Sequence, residues 1–501
     1  MMTKEPLIIL WVKKGSQGSP RSMPRRGQHL ISAQVHPTTE DRESETKQPS
    51  KCYEVDSFFL VGYILPIFLT WGVPSMSAIP KNAPDFIATE AIRDRRQTNC
   101  CVVGGGPGGM MLALLLARQR VPVTLLEQHK DFDRDFRGDT IHPSTMELLD
   151  QIGLAEALHK LRHAKIYGPT LRLANTDFSP IDFRRLKTRF PYIFLVPQAR
   201  FLDFLAAEAS KLPDFRLVMG ANVEQLIEED GQVRGVRYLA ADGVHEVRAS
   251  LTVGADGRFS KIRHLAGFKP IETSAPMDIL WFRLPHIPGD LPEAEGRVLG
   301  GIGIGRVLVV FDRFDYWQIA FVFSKGQYQT LRATGLESFR RAIVEIEPSF
   351  AEHVKAITDW HQCSLLSVES SRCPLWYKPG MTLIGDAAHV MSPIGGLGIN
   401  YAIQDAVVAT NLLAAPLKAG RLQVSDLARL QREREWPTKV IQAAQAGLQN
   451  RVLATVLRSR TQVKIPWLVR AFFATPVLRD IPARVMAFGV KRVRLKEASA
   501  L

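Results

Sequence analysis

The alternation of apolar and polar positions changes character along the chain. Residues 1–56 are polar and rich in proline, serine and charge, with no helical or strand period. Such a stretch buries too little apolar surface to offset the entropy of ordering. Ser57–Pro80, "SFFLVGYILPIFLTWGVPSMSAIP", then carries no charged residue and is long enough to span a bilayer. From Gln97 the periods of a folded domain begin. "TNCCVV" reads as a short buried strand, "MMLALLLARQR" as a helix and "VPVTLLE" as a second strand, a β-α-β unit over about thirty residues. The runs "LTVG" and "TLIG" read as later strands that end in Asp-Gly or Gly-Asp turns. Between Phe268 and Ser371 lie "MDILWFRLP", "GRVLGGIGIGRVLVVFDRF" and "YWQIAFVFSK", dominated by Val, Ile, Phe and Trp and separated by turn signals. These predict an antiparallel sheet, with "KIYGPTLRLANTDFSPIDFRRL" as a source of earlier strands.

The chain of 501 residues suffices for two or three domains, and 46% hydrophobic with 23% charged residues describes an ordinary globular protein. The five cysteines lack metal-ligand spacing and read as free thiols of a reducing compartment, so no metal is expected. Cys100 and Cys101, adjacent on a strand, should face opposite ways. The net charge of +14 is uneven: beyond Pro437 twelve Lys and Arg face only Asp480 and Glu497. A cationic surface of this kind attracts an acidic membrane or nucleic acid. No nucleic-acid-binding motif accompanies it, so nucleic acid is not expected as a partner. The apolar and basic tail "IPWLVRAFFATPVLRDIPARVMAFGVKRVRL" has helix-like spacing broken by Pro476 and Pro482, and either packs on the main body or lies on a membrane.

Three readings compete for Ser57–Pro80: a membrane anchor weakened by Pro66 and Pro74, a secretory signal placed too far from the N-terminus, or sequence ahead of a native start at Met76. Basic residues on both sides leave its orientation open. A cytoplasmic protein is the first expectation and a membrane-associated one the alternative, with contact through residues 57–74 or the basic C-terminal region.

The chemistry starts at "CCVVGGGPGGMML". Gly104, Gly106 and Gly109 stand at GxGxxG spacing, with Pro107 inside the turn. The first glycine permits the tight turn, the second lets a pyrophosphate approach the backbone, and the third lets helix and strand pack closely. Amides at the helix N-terminus then face phosphates. Glu127 closes the second strand, where a carboxylate accepts hydrogen bonds from ribose hydroxyls and repels a 2′-phosphate. This motif predicts a dinucleotide but does not separate FAD from NAD. Asp256 in "LTVGADGRFSKIR" and Asp386 in "MTLIGDAAHVMSPIGGLGIN" both follow strand ends, where ligands of α/β sheets collect. Either aspartate can equally cap its own turn.

Together, Gly104–Gly109, Asp256-Gly257 and Gly385-Asp386 resemble the motif set of the FAD-dependent aromatic hydroxylases, the group A flavoprotein monooxygenases typified by para-hydroxybenzoate and ubiquinone-biosynthesis hydroxylases. "RGDTIHPSTMELLDQIGL" resembles that family's arginine-led segment and "VPQARFLDFLAAEA" its glutamine-led helix. The likeness runs from about Gln97 to about Arg434. It implies an α/β fold: a Rossmann-like FAD-binding domain of the GR2 type, an inserted antiparallel β-sheet substrate domain and a helical C-terminus. The implied division is an extension at 1–96, a discontinuous FAD-binding domain at 97–170, 192–267 and 372–434, a substrate domain at 171–191 and 268–371, and a basic helical region at 435–501.

The resemblance implies FAD as cofactor and NAD(P)H as electron donor. It places Asp386 at a ribityl hydroxyl, Asp256 at the pyrophosphate–ribityl region, and Gly385, Gly396, Gly398, Ile399 and Asn400 in the loop that approaches the pyrimidine edge. Arg137 and Gln198 fall near the cofactor, and Pro393 and Arg137 are the candidates for the flavin face. The implied reaction is hydroxylation of a phenolic or quinone-like ring through a flavin C4a-hydroperoxide. The alternatives are a reductase of a lipophilic isoprenoid-type substrate without oxygen insertion, or a flavoprotein without turnover. The halogenase signature Trp-x-Trp-x-Ile-Pro is absent. His389 reads more readily as a solvated or capping residue than as a proton carrier, and no general base is legible. Trp281, Phe282, Arg283, Phe321 and Phe323 read as core before pocket lining. A small aromatic or lipophilic substrate is the expected partner, and the oligomeric state stays open.

Overall fold

The computed structural model describes residues 91–133, 139–173, 176–288, 290, 298–313, 316–461 and 475–496, all within the unit Ala78–Leu501. Ser57–Pro80, Met76, Cys52 and Arg137 lie outside them.

The first sheet is the one that matters for the site. Its strands run Tyr377–Lys378, Met381–Leu383, Gly243–Gly254, Asp94–Val103, Val123–Glu127 and Phe215–Met219 in spatial order, parallel from Met381 onward. Val102 and Val103 pair with Leu125 and Leu126 on one side and with Val253 and Gly254 on the other, and Gly254 pairs with Leu383. Four strands therefore end at one level. Asp94–Val103 is longer than "TNCCVV" alone predicts, because its polar front half pairs with His245–Arg248. Cys100 and Cys101 do face opposite ways, each into its own core. Asn222–Glu229 and Gln232–Ala240 meander antiparallel onto the front of Gly243–Gly254.

Helix Pro107–Arg118 is buried along nearly its whole length, between the sheet and helices Gln198–Ala209 and Leu397–Lys418. A helix apolar all round belongs in such a core.

The second sheet has eight strands in the order His389–Val390, Ser364–Arg372, Ile271–Pro285, Tyr316–Ser324, Arg306–Asp312, Val298–Gly303, Pro169–Leu173 and Thr176–Phe178. It is antiparallel except where Val298–Gly303 runs parallel to Pro169–Leu173. Period-two alternation sends Leu280, Phe282 and Leu284, with Phe321 and Phe323 of the neighbouring strand, into a core closed by Phe339 and Ile343 of helix Leu336–Ile346. Phe282, Phe321 and Phe323 are therefore core residues. A small antiparallel sheet of Thr140–Ile141, Ile193–Leu195 and Ala164–Ile166 links the two halves.

Toward the C-terminus, helix Val424–Leu448 passes through a wider π turn, Gln449–Leu453, into Ala454–Arg458. The expected break at Pro482 does not occur. Pro476 opens helix Pro476–Phe488 at its first position, where an amide has no helical partner, and Pro482 lies inside it. Ala483, Ala487 and Phe488 pack on Phe183, Ile193 and Leu195, so this stretch of the tail is bound to the main body. Among the described residues no helix is long and apolar enough to cross a membrane.

Candidate functional site

The common level of the strand ends brings the three turns into contact. Gly104 holds a positive φ of 105°, and a Cβ there would sit 2.6 Å from Asp256 Cα. Only glycine permits both features. A Cβ on Gly109 would overlap the Gly104 carbonyl oxygen, which makes it the close-packing glycine of the turn. At Gly108 and at Gly385 an added Cβ would meet Ala402 Cβ at 3.2 and 3.0 Å. The glycine turn, the Gly385-Asp386 turn and helix Leu397–Lys418 thus converge on Ala402.

Two glycines behave differently. A Cβ on Gly106 finds only Ala255 O, at 4.0 Å, and one on Gly398 finds only Met391 Cβ at 3.8 Å and Asp386 Oδ1 at 4.0 Å. These positions leave room above the backbone, one at the helix N-terminus and one beside Asp386. A cradle a Cβ would fill, ringed by glycines packed on protein, fits an extended dinucleotide lying across the strand ends.

Glu127 is buried at the end of its strand. Its Oε2 accepts from Gly105 N at 2.7 Å and its Oε1 from His129 N at 3.0 Å. The carboxylate therefore stands at the glycine turn, as a ribose acceptor requires.

Asp256 turns its carboxylate onto its own segment, accepting from Ser260 Oγ and from Ile262 N at 2.9 Å. Burial pushes its carboxyl above the usual range, against the pull of those two bonds. The side chain thus caps helix Lys261–Leu265, while its backbone abuts Gly104. Arg263 of that helix donates to Ala387 O at 3.0 Å and Arg258 O at 2.7 Å, clamping the Asp-Gly and Gly-Asp turns together.

Asn400 spends its carboxamide on protein. Oδ1 accepts from His142 N at 2.9 Å and Thr145 Oγ at 2.8 Å, and Nδ2 donates to Thr140 O at 3.0 Å and Gly396 O at 3.2 Å. Its side chain shapes the loop instead of facing the cradle. Pro393 accepts from Gly396 N at 3.0 Å, closing a turn in which Gly395 and Gly396 hold positive φ. Ile399 packs against the main core. Gln198 opens its helix and donates from its backbone N to Asp139 Oδ1 at 2.9 Å.

His389 is neither solvated nor a cap of its own turn. It is buried, and its Nε2 lies 2.7 Å from Asp405 Oδ2. Asp405, wholly buried in helix Leu397–Lys418, also accepts from Gly385 N at 2.9 Å and from Arg434 Nε at 2.6 Å. Burial pushes the Asp405 carboxyl up, but the His389 and Arg434 partners more than offset this and hold it at about 2. This buried network fixes the Gly385 amide from beneath.

A second pair was also missed. Arg313, just past strand Arg306–Asp312 of the second sheet, is buried and pairs with Asp139, two residues past Arg137. Burial raises the Asp139 carboxyl, against the nearby charges of Arg313 and Arg283 and the Gln198 amide. Asp139 therefore joins the segment after Arg137, the Gln198 helix and the second sheet.

A Rossmann-type sheet with three such turns at its crest defines a dinucleotide-binding flavoprotein. The chain belongs to the family described as FAD binding domain, whose model matches residues 97–443, and FAD is its cofactor. It is 33% identical over 392 residues to 6-methylpretetramide 4-monooxygenase of Streptomyces rimosus, covering 77% of this chain and 90% of that protein. It is 32% identical over 279 residues to the 12-dehydrotetracycline 5-monooxygenase/anhydrotetracycline 6-monooxygenase of Streptomyces rimosus subsp. rimosus, 53% of this chain and 52% of that one. In fold it resembles pqsL, a probable FAD-dependent monooxygenase from Pseudomonas aeruginosa, with a TM-score of 0.62 at 21% identity over 72% of this chain and 98% of that one. The likeness to FAD-dependent aromatic hydroxylases read from the motifs therefore holds.

Proposed function

We propose that the protein is an FAD-dependent monooxygenase that hydroxylates an aromatic, phenolic or quinone-like substrate with electrons from NAD(P)H. The balance is substrate C–H, O2, NAD(P)H and a proton going to substrate C–OH, water and NAD(P)+. One observation carries the reading: Gly104 abuts Asp256, and the glycine turn and the Gly385-Asp386 turn both pack on Ala402 at the sheet crest, in a chain one-third identical to an aromatic monooxygenase.

When bound, FAD supplies two-electron transfer and oxygen activation. The chain supplies position. The backbone N–H groups of Gly106, Gly108 and Gly109 would face the pyrophosphate with the positive helix end, and Glu127 would take the adenosine ribose. Asp386 and the open side of Gly398 would hold the ribityl chain and the ring end. Pro393 and the turn beyond it border the ring. The second sheet covers the reactive region and keeps water away, which suppresses loss of reducing power to peroxide. Buried free thiols and the need for NAD(P)H favour the cytosol as its place of action.

The test is anaerobic reduction by NADH or NADPH in the presence of phenols and quinone precursors, followed by admission of isotopically labelled O2. The expected product carries one labelled oxygen atom. A reduced product formed without O2 identifies an isoprenoid-type reductase and overturns the reading.

A further inference from the structure

The outer surface of the cationic C-terminal region carries a second pattern. Along Val424–Arg458 the apolar side chains Trp436, Val440, Leu448 and Val452 are 57%, 37%, 46% and 55% exposed. Trp436 and Val440, one turn apart, share one face of the helix, and each further step of four carries the row about 40° round toward Leu448 and Val452. Ala444, also exposed, fills the one gap in the series. The opposite face is buried through Leu427, Leu430, Arg434, Ile441 and Gln445.

Charge on the outer face has one sign. Arg429, Arg432, Arg451 and Arg458 are exposed around the stripe. The segment's three acids are all half-buried and engaged: Asp426 accepts from Gln423 N, Glu433 pairs with Lys491, and Glu435 with Lys439 and Arg372. The Lys491 pair also brings the start of the basic tail, with exposed Arg492 and Arg494, beside this helix.

Large apolar side chains led by a tryptophan, ringed by arginine and without an exposed acid, complement a bilayer interface bearing anionic headgroups. A second copy of the chain would present the same cations to them, and nucleic acid gives no use to the apolar stripe. We propose that the face bearing Arg429, Arg432, Trp436 and Val440 is a docking surface for anionic membrane. The proposal stands apart from the reaction assigned above.

The experiment is flotation of the full-length, FAD-loaded protein with vesicles of phosphatidylcholine alone and of phosphatidylcholine containing a third phosphatidylglycerol. The protein should float with the mixed vesicles, and high salt should release it. The double substitutions Trp436→Glu/Val440→Glu and Arg429→Gln/Arg432→Gln should each lower the bound fraction about tenfold. Flavin content and melting temperature should not change. Because Ser57–Pro80 remains in every variant, binding that survives both double substitutions overturns the proposal. So does failure of the unaltered protein to float. Self-association in lipid-free buffer that Trp436→Glu abolishes, without vesicle binding, assigns the face to a second copy and also overturns it.

Discussion

Arg434 Nε donates to Asp405 Oδ1 at 2.6 Å, and both side chains are wholly buried behind the Gly385-Asp386 turn. The pair joins helix Val424–Leu448 to helix Leu397–Lys418, and through Gly385 N it fixes the Gly385-Asp386 turn. Removing one member leaves a buried charge without its partner. Arg434→Met should therefore cost about 3–5 kcal/mol, read as a fall in the urea midpoint. Asp405→Asn likewise strands the buried Arg434 charge and turns an NH2 toward one of the three donors, so it should cost as much. The pH dependence follows from the carboxyl. The unfolded chain takes up a proton near 3.8 and the folded chain only near 2, so this contribution is complete above the higher value and drains away as pH falls toward the lower. Asp405→Asn should flatten the stability profile across that window.

The glycines separate folding from binding. Gly106 has φ of −68°, which any residue adopts, and open space at the Cβ position. Gly106→Ala should fold with a melting temperature near that of the parent protein stripped of flavin, yet retain little FAD after gel filtration. Gly109→Ala drives a methyl into the Gly104 carbonyl and should lower the melting temperature of the flavin-free protein itself. Equal melting of the two flavin-free variants would contradict this division.

His142 predicts a second acid sensitivity, at milder pH. Its Nδ1–H donates to Met486 O at 2.7 Å, so in the neutral ring Nε2 carries no proton, and full burial lowers it from 6.5 to about 4. Between those values the unfolded chain binds a proton that the folded chain refuses. Stability is complete above 6.5 and falls as pH drops toward 4, by about 3 kcal/mol in all. His142→Gln should remove most of the slope between about pH 6.5 and pH 4 in urea titrations.

Much of this site was legible because it is built from short-range chemistry. Gly104, Gly106 and Gly109 follow a strand and open a helix, and Glu127 closes the next strand, all within one local unit. The Asp405 network was half-legible. A lone acid in "NYAIQDAVVATNLLAA" is a signal, since a buried carboxylate needs a partner. Arg434 gave none: inside "REREW" it looks like its solvated neighbours, and only the phase of the helix against its packed face buries it. Asp256 shows the converse limit. Its place at a strand end was visible, but the bond to Ile262 N depends on how the chain turns after Gly257. Asp139 lacked any hydrophobic context, and its partner lies 174 residues away.

That Asp139–Arg313 pair carries the prediction closest to the reaction. It joins the Gln198 helix, through the Gln198 amide bonded to Asp139, to Arg313 just past strand Arg306–Asp312 of the second sheet. Arg313→Gln removes a charge that pulls the Asp139 carboxyl down, so burial then raises that carboxyl further. The Gln198 bond survives in that variant, so FAD content should hold. What should fail is the seating of the cover. Small displacements of a positioned substrate cost large factors in rate, so hydroxylated product per NAD(P)H should fall about tenfold with a matching rise in peroxide. Asp139→Asn should do the same. The double variant should be no worse than either single one, because both changes remove one interaction. Additive losses in product yield would show instead that Asp139 and Arg313 act independently.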